Sequence, residues 1–285
     1  MSSGGAQPIL RRDRIILLTG LALIVALSWA YISSLASEMQ NMEMATEMAM
    51  PQMQAWDTRD FVLTFVMWAV MMVAMMTPSA APMILMFAGI NRSRRDQQVP
   101  YVPTSVFLVG YLVVWAAFSV LVTAAQWGLH TASLLSPMMV STSPALGGIL
   151  LLVAGIYQWT PLKHACLSKC RSPLGFVLHE WREGRWGALL MGLKHGSYCA
   201  GCCWSLMALL FVAGVMNLLW VAAIAGFILL EKVAPAGQRM GQAAGALMIA
   251  GGVVLLGLTL WGGTHPEMSP EIESEPGMES KMGSM

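Results

Sequence analysis

Residues 61–88 read FVLTFVMWAVMMVAMMTPSAAPMILMFA, with no charged side chain from Phe61 to Ala88. A helix rises about 1.5 Å per residue and needs about 20 apolar residues to cross roughly 30 Å of hydrocarbon, so this run is long enough to span a membrane. Outward from it, further apolar blocks lie between clusters of charge: Ile15–Leu35, Thr104–Leu129, Pro144–Thr160, Ser197–Met216, Leu218–Val233 and Gly241–Gly262. Of the 285 residues, 56% are hydrophobic and 11% charged, against roughly 25% charged in a soluble domain. The fold expected is all-α, a polytopic transmembrane bundle of about seven spans. Its parts are an N-terminal anchor helix over 1–35, a Met-rich outer loop over 36–60, the transmembrane domain over 61–262 and an acidic, Met-containing tail over 263–285.

Lys and Arg fall on alternate sides of these spans: Arg11, Arg12 and Arg14; Arg92, Arg94 and Arg95; Lys163, Lys169, Arg171, Arg182 and Arg185; Lys232 and Arg239. The positive-inside rule makes those segments cytoplasmic, with the N-terminus inside and the C-terminus outside a bacterial cytoplasmic membrane. The first span, with Arg11–Arg14 before it and Ser34-Leu35-Ala36 after it, also has the parts of a secretory signal peptide; its length favours a retained anchor. Between Arg185 and Gly196 the polar pair Lys194-His195 suggests an interfacial or re-entrant segment leading into the span at Ser197. Pro78 and Pro82 predict a kink or an unwound turn. Gly241 with Gly245, and Ala222 with Gly226, are small-residue pairs suited to close helix contact.

Several function classes drop out. A net charge of +1 without a long basic run offers nothing to nucleic acid. Walker loops, GxSxG elbows and HExxH motifs are absent from the sequence, and His130, His179 and His265 form no HxxxH or HxH. Enzymatic activity is the weaker expectation, though an enzyme with its own redox-active metal stays open.

Sulfur is the chemistry in excess: 25 Met and 5 Cys. Met39, Met42, Met44, Met48, Met50 and Met53 crowd the outer loop among Glu38, Glu43 and Glu47, where a dry core cannot form. Thioethers suit Cu(I), so the loop reads as a copper collector; a biased linker or a surface amphipathic helix would have the same composition. In the second span Met67, Met71 and Met75 share one face, with Met72 and Met76 on the next. Such a stripe is either a relay for the ion or ordinary packing. Cys166 and Cys170 are four apart, and Cys199, Cys202 and Cys203 share a helical face. All five lie toward the reducing side, where thiols serve as ligands rather than disulfides. Zinc is the alternative metal, with His164 or His195 adding nitrogen.

The stretches Trp68–Ser79 (WAVMMVAMMTPS), Gly155–Arg171 (GIYQWTPLKHACLSKCR), Gly192–Met216 (GLKHGSYCAGCCWSLMALLFVAGVM) and Glu231-Lys232 together resemble a bacterial family of predicted metal-binding integral membrane proteins. That resemblance implies a multi-spanning protein that binds metal, and directs attention to His195, the five cysteines and the Met71–Pro78 segment. The expectation is a copper-handling membrane protein, working with a copper chaperone or membrane metalloenzyme and able to form homo-oligomers. Rival readings are a membrane thiol-disulfide oxidoreductase and an assembly partner of a metalloenzyme. Glu231 is a candidate for proton coupling, unless it simply pairs with Lys232.

Overall fold

The computed structural model describes residues 11–46, 57–98, 102–132 and 143–262. Among them the chain forms helices α1 (Arg11–Thr46), α2 (Thr58–Asp96), α3 (Thr104–Thr131), α4 (Pro144–Tyr157), α5 (Pro161–Arg171), α6 (Pro173–Glu180), α7 (Gly184–Ala208), α8 (Leu210–Ala213), α9 (Leu218–Val233) and α10 (Gly237–Gly262), and no strand. Five segments are long and apolar enough to cross a membrane: Arg14–Met39, Thr58–Arg95, Thr104–Thr131, Gly184–Ala213 and Gly237–Trp261. A sixth arises if α4 and α5, bent by 64° at their junction, count as one. The block Leu218–Val233 is helical, but its 16 residues reach only about 24 Å, short of a full hydrocarbon core.

Local chemistry explains the boundaries. Asp57 and Asp60 form a reciprocal capping box at the start of α2, and Arg94 and Arg95 occupy its last turn, where cations suit the helix dipole. Ser143-Pro144, Thr160-Pro161 and Ser172-Pro173 repeat one device: a hydroxyl caps the free N–H groups and proline, which has no N–H, takes the first helical position. The second of these separates α5 from α4, so Cys166 and Cys170 ride on their own short helix instead of extending the fourth span.

Two expectations about continuity differ from the structure. α2 stays helical through Pro78 and Pro82, so the unwound turn is not formed there. Beside those prolines the Met76 carbonyl accepts from the Ser79 hydroxyl of α2 itself (2.9 Å) and from the Tyr111 hydroxyl of α3 (3.1 Å). Likewise α7 is helical from Gly184, with no separate interfacial segment before Ser197. The polarity that suggested one is dealt with locally: Lys194 reaches out to Glu180 on α6 at 2.5 Å, while His195 turns inward.

α3 lies directly on α7, since a Cβ at Gly110 would strike the Leu189 carbonyl and one at Gly192 the Phe107 carbonyl. α4 and α10 form a second intimate pair, in which a Cβ on Gly155 would sit 2.7 Å from the Gly245 carbonyl. Gly245 therefore does mediate close packing. At Gly226, by contrast, a Cβ would meet nothing within 4 Å, so the Ala222–Gly226 pair makes no such contact among the described residues. The core these helices enclose is centred on α2, whose Met67, Trp68, Met71, Met72, Met75, Met76 and Met83 are all buried.

Candidate functional site

The cysteines of α7 face the methionine stripe of α2. Cys199, Cys202 and Cys203 are buried. Their i, i+3, i+4 spacing lets the thiols of Cys202 and Cys203 both donate to the Cys199 carbonyl, at 3.1 and 2.9 Å. The Cys203 sulfur also lies 3.8 Å from the Met76 sulfur. Thiol and thioether thus meet where two helices far apart in sequence pack together.

From α5, the Cys170 side chain lies close to those of Cys199 and Cys202. Cys166 packs over Gly201, where a Cβ would stand 3.0 Å from its sulfur. Four of the five cysteines therefore lie near one another, with the fifth at their margin. Among the described residues, however, no group of three or more Cys, His, Asp or Glu side chains is arranged to hold a metal ion. The sulfur-to-sulfur contact between α7 and α2 is that of Cys203 with Met76.

Polar side chains outside the sulfur pattern complete the site. Lys232, near the end of α9, donates to the Cys199 sulfur at 2.9 Å and to the Ser79 hydroxyl at 3.0 Å. The Tyr111 hydroxyl lies 3.3 Å from the same sulfur. In the sequence Lys232 reads as a marker of topology and a partner for Glu231, yet its ammonium is buried beside a thiol, and a cation is expensive in hydrocarbon unless partnered. A lysine directly after an apolar run is the available signal; Tyr111, inside one, offers none.

Glu231 does not pair with its neighbour Lys232. Adjacent residues on a helix point about 100° apart, so the two take different partners. Glu231 meets Lys163 of α5 at 2.6 Å, and Lys163 also donates to the Gln158 side-chain oxygen. This ion pair ties α5 to α9.

His195 is buried in a cage of Phe107, Tyr111 and Phe176, with ring centroids 5.5 to 6.0 Å away. Its Nδ1 has no hydrogen-bond partner among the described residues. His164 points elsewhere, into a cavity between α5 and α10. Neither imidazole is set among the thiols as a zinc site would require. Of the outer methionines, Met42 and Met44 lie on α1, which continues to Thr46, and Met39 packs half-buried against the core. Met48, Met50, Met53 and the tail methionines lie outside the described residues.

A polar ladder on α3 leads away from the site: Tyr111, Trp115, Ser119, Thr123 and Gln126 are buried on one face. At its far end Trp68 Nε1 donates to Gln126 Oε1 at 2.6 Å. Trp115 Nε1, Thr123 Oγ1 and Gln126 Nε2 have no partner among the described residues. Outside the spans, the Lys194 ammonium holds the Glu180 carboxyl below the usual carboxylate range.

Residues 65–255 match the model of the PpoB2 family, described as a copper chaperone. No curated protein and no solved structure matches the chain.

Proposed function

We propose that this chain, which belongs to the PpoB2 copper chaperone family, receives Cu(I) on methionine sulfur and passes it to the α7 cysteines within a bacterial cytoplasmic membrane. Met42, Met44 and Met48 collect the ion outside, Met67, Met71, Met72, Met75 and Met76 relay it, and Cys199, Cys202, Cys203, Cys166 and Cys170 accept it toward the cytoplasm. His195 supports the site by packing. The orientation rests on the positive charge at the α2 C-terminus, on α5 and at the start of α10.

The observation that carries this reading is the 3.8 Å contact between Met76 and Cys203. Cu(I) prefers soft sulfur donors and accepts low coordination numbers, so a thioether beside a thiol permits exchange without a preformed cage. In the exchange a copper–thioether bond breaks as a copper–sulfur bond to Cys203 forms. The thiol gives up its proton, so loading is accompanied by measurable proton release. Delivery to a soluble copper chaperone or a membrane metalloenzyme completes the task.

Metal analysis of the purified protein with and without a Cu(I) chelator, beside a free-thiol count, tests the proposal. Copper bound with all thiols reduced supports it. A disulfide among Cys170, Cys199 and Cys202 without metal supports the thiol-disulfide oxidoreductase instead, a reading that the neighbouring cysteines keep in play.

A further inference from the structure

A cavity of about 850 Å³ opens between α5 and the α9–α10 turn, lined by His164, Ser168, Arg171, Gln238, Arg239 and Gln242 among others. No acidic residue is among the described residues that line it. Arg171 is oriented by hydrogen bonds to the Ala234 and Pro235 carbonyls, at 2.6 and 3.2 Å, which fixes its guanidinium at the wall. His164 Nε2 is buried there with no partner among the described residues. The first turn of α10 also begins at this wall, and the positive end of its helix dipole favours an anion.

Position selects among anions. The segments that bound the cavity carry exposed apolar side chains close by in sequence, Leu162 two residues before His164 and Val233 two residues before Pro235. Above a cationic cavity, such surface suits acyl chains, while the cavity suits the phosphate to which they are attached. Nothing in the copper reading requires this site.

We propose that the cavity between α5 and α10 binds the phosphate headgroup of an anionic phospholipid, with Arg171, Arg239 and His164 as its donors. The lipid bridges α5, which carries Cys166 and Cys170, to α10. It thereby braces the end of the cysteine site that α5 carries, beside the Lys163–Glu231 pair.

The test uses the full chain in mild detergent and counts lipid retained by native mass spectrometry, with phosphatidylglycerol competing against phosphatidylcholine. The wild type should retain one phosphatidylglycerol with about a tenfold preference, the scale of one or two interfacial arginine–phosphate contacts. Arg239→Gln should abolish that preference. Arg59→Gln, an exposed arginine at the opposite end of α2 with the same loss of charge, should keep it. The proposal is overturned by a wild type without preference or by equal loss in both variants. Binding of inorganic phosphate without preference for the anionic lipid also overturns it, pointing to a soluble oxyanion.

Discussion

Replacing Lys163 by Met should be among the most destabilising single changes in the molecule. Its ammonium is 1% exposed and lies 2.6 Å from the Glu231 carboxylate, itself 3% exposed. Removing the cation leaves a buried carboxylate without its counter-charge, a loss of about 3–5 kcal/mol in comparable cases. Relief by rotation of Glu231 is limited, because Gly241 lies against its Oε1 so closely that not even a Cβ would fit. Gln158 offers partial compensation: its Nε2 has no partner among the described residues and can turn toward the carboxylate. The loss for Lys163→Met should therefore fall near the lower end of that range. Glu231→Gln keeps an oxygen for Lys163 and should cost about 1–3 kcal/mol. The double change Lys163→Met with Glu231→Leu removes both charges, and should be at least about 2 kcal/mol more stable than the sum of Lys163→Met and Glu231→Leu measured singly. Reversible unfolding in mixed detergent, analysed as a double-mutant cycle, measures all of these. A Lys163→Met loss below about 1 kcal/mol, with additive behaviour to within about 0.5 kcal/mol, would refute the ion pair as a buried, mutually dependent unit.

Met76→Leu should cost less than about 1.5 kcal/mol of stability, since the volumes are similar, yet slow copper transfer to the cysteines; an unchanged transfer rate in stopped-flow chelator competition would reduce Met76 to packing. Cys202→Ser with Cys203→Ser should remove the tightest Cu(I) site, and unaltered copper affinity would take these thiols out of the mechanism. Gly155→Ala should destabilise by about 1–3 kcal/mol through overpacking against α10, whereas Gly257→Ala, with open space at its Cβ, should be neutral or stabilising by up to about 1 kcal/mol. Because Lys194 lowers the Glu180 carboxyl pKa, the wild type's advantage over Glu180→Gln should be full above the ordinary carboxylate pKa of about 4.3. It should shrink as pH falls below that value toward the depressed one; an advantage independent of pH in unfolding titrations would contradict the ion pair. An impermeant thiol reagent applied outside should label Gln52→Cys and spare Arg94→Cys, and the opposite pattern would reverse the direction of transfer.

The helical class and most boundaries are legible because hydropathy and charge act locally. Each run between charge clusters forms helix, whereas the Ser or Thr before Pro that starts α5 and α6 emerges as a boundary only in the structure. The sulfur residues are legible as a set, through composition and spacing. Their meeting is less so: periodicity makes Met67, Met71 and Met75 the leading face of the stripe, while the contact with Cys203 is made by Met76. Such pairings depend on how α2 and α7 are rotated against each other, which periodicity within either helix does not fix. The partners of charged groups are least legible. Lys163 reads as one of several cytoplasmic cations, and only the fold brings it to Glu231, because α5 turns back at Thr160-Pro161. His195 reads as too polar for lipid-facing helix. The structure buries it among three aromatic rings, and a sequence does not announce a cage assembled from α3, α6 and α7.

The tight pairing of α4 with α10 has a consequence for biosynthesis. α4 is 14 residues long, about 21 Å, and cannot cross the hydrocarbon core unaided. The face bearing Gly148 and Gly155 is shaped for α10, which begins only at Gly237. At roughly 5–20 residues per second, the ribosome finishes α10 on the order of 5 to 20 s after α4 has emerged. Through that interval α4 is a short, glycine-faced helix awaiting its mate. The last of the described spans is thus the one that settles α4 into place, and a chain truncated before Gly237 would leave the cell holding an unfinished membrane protein with this helix still uncovered.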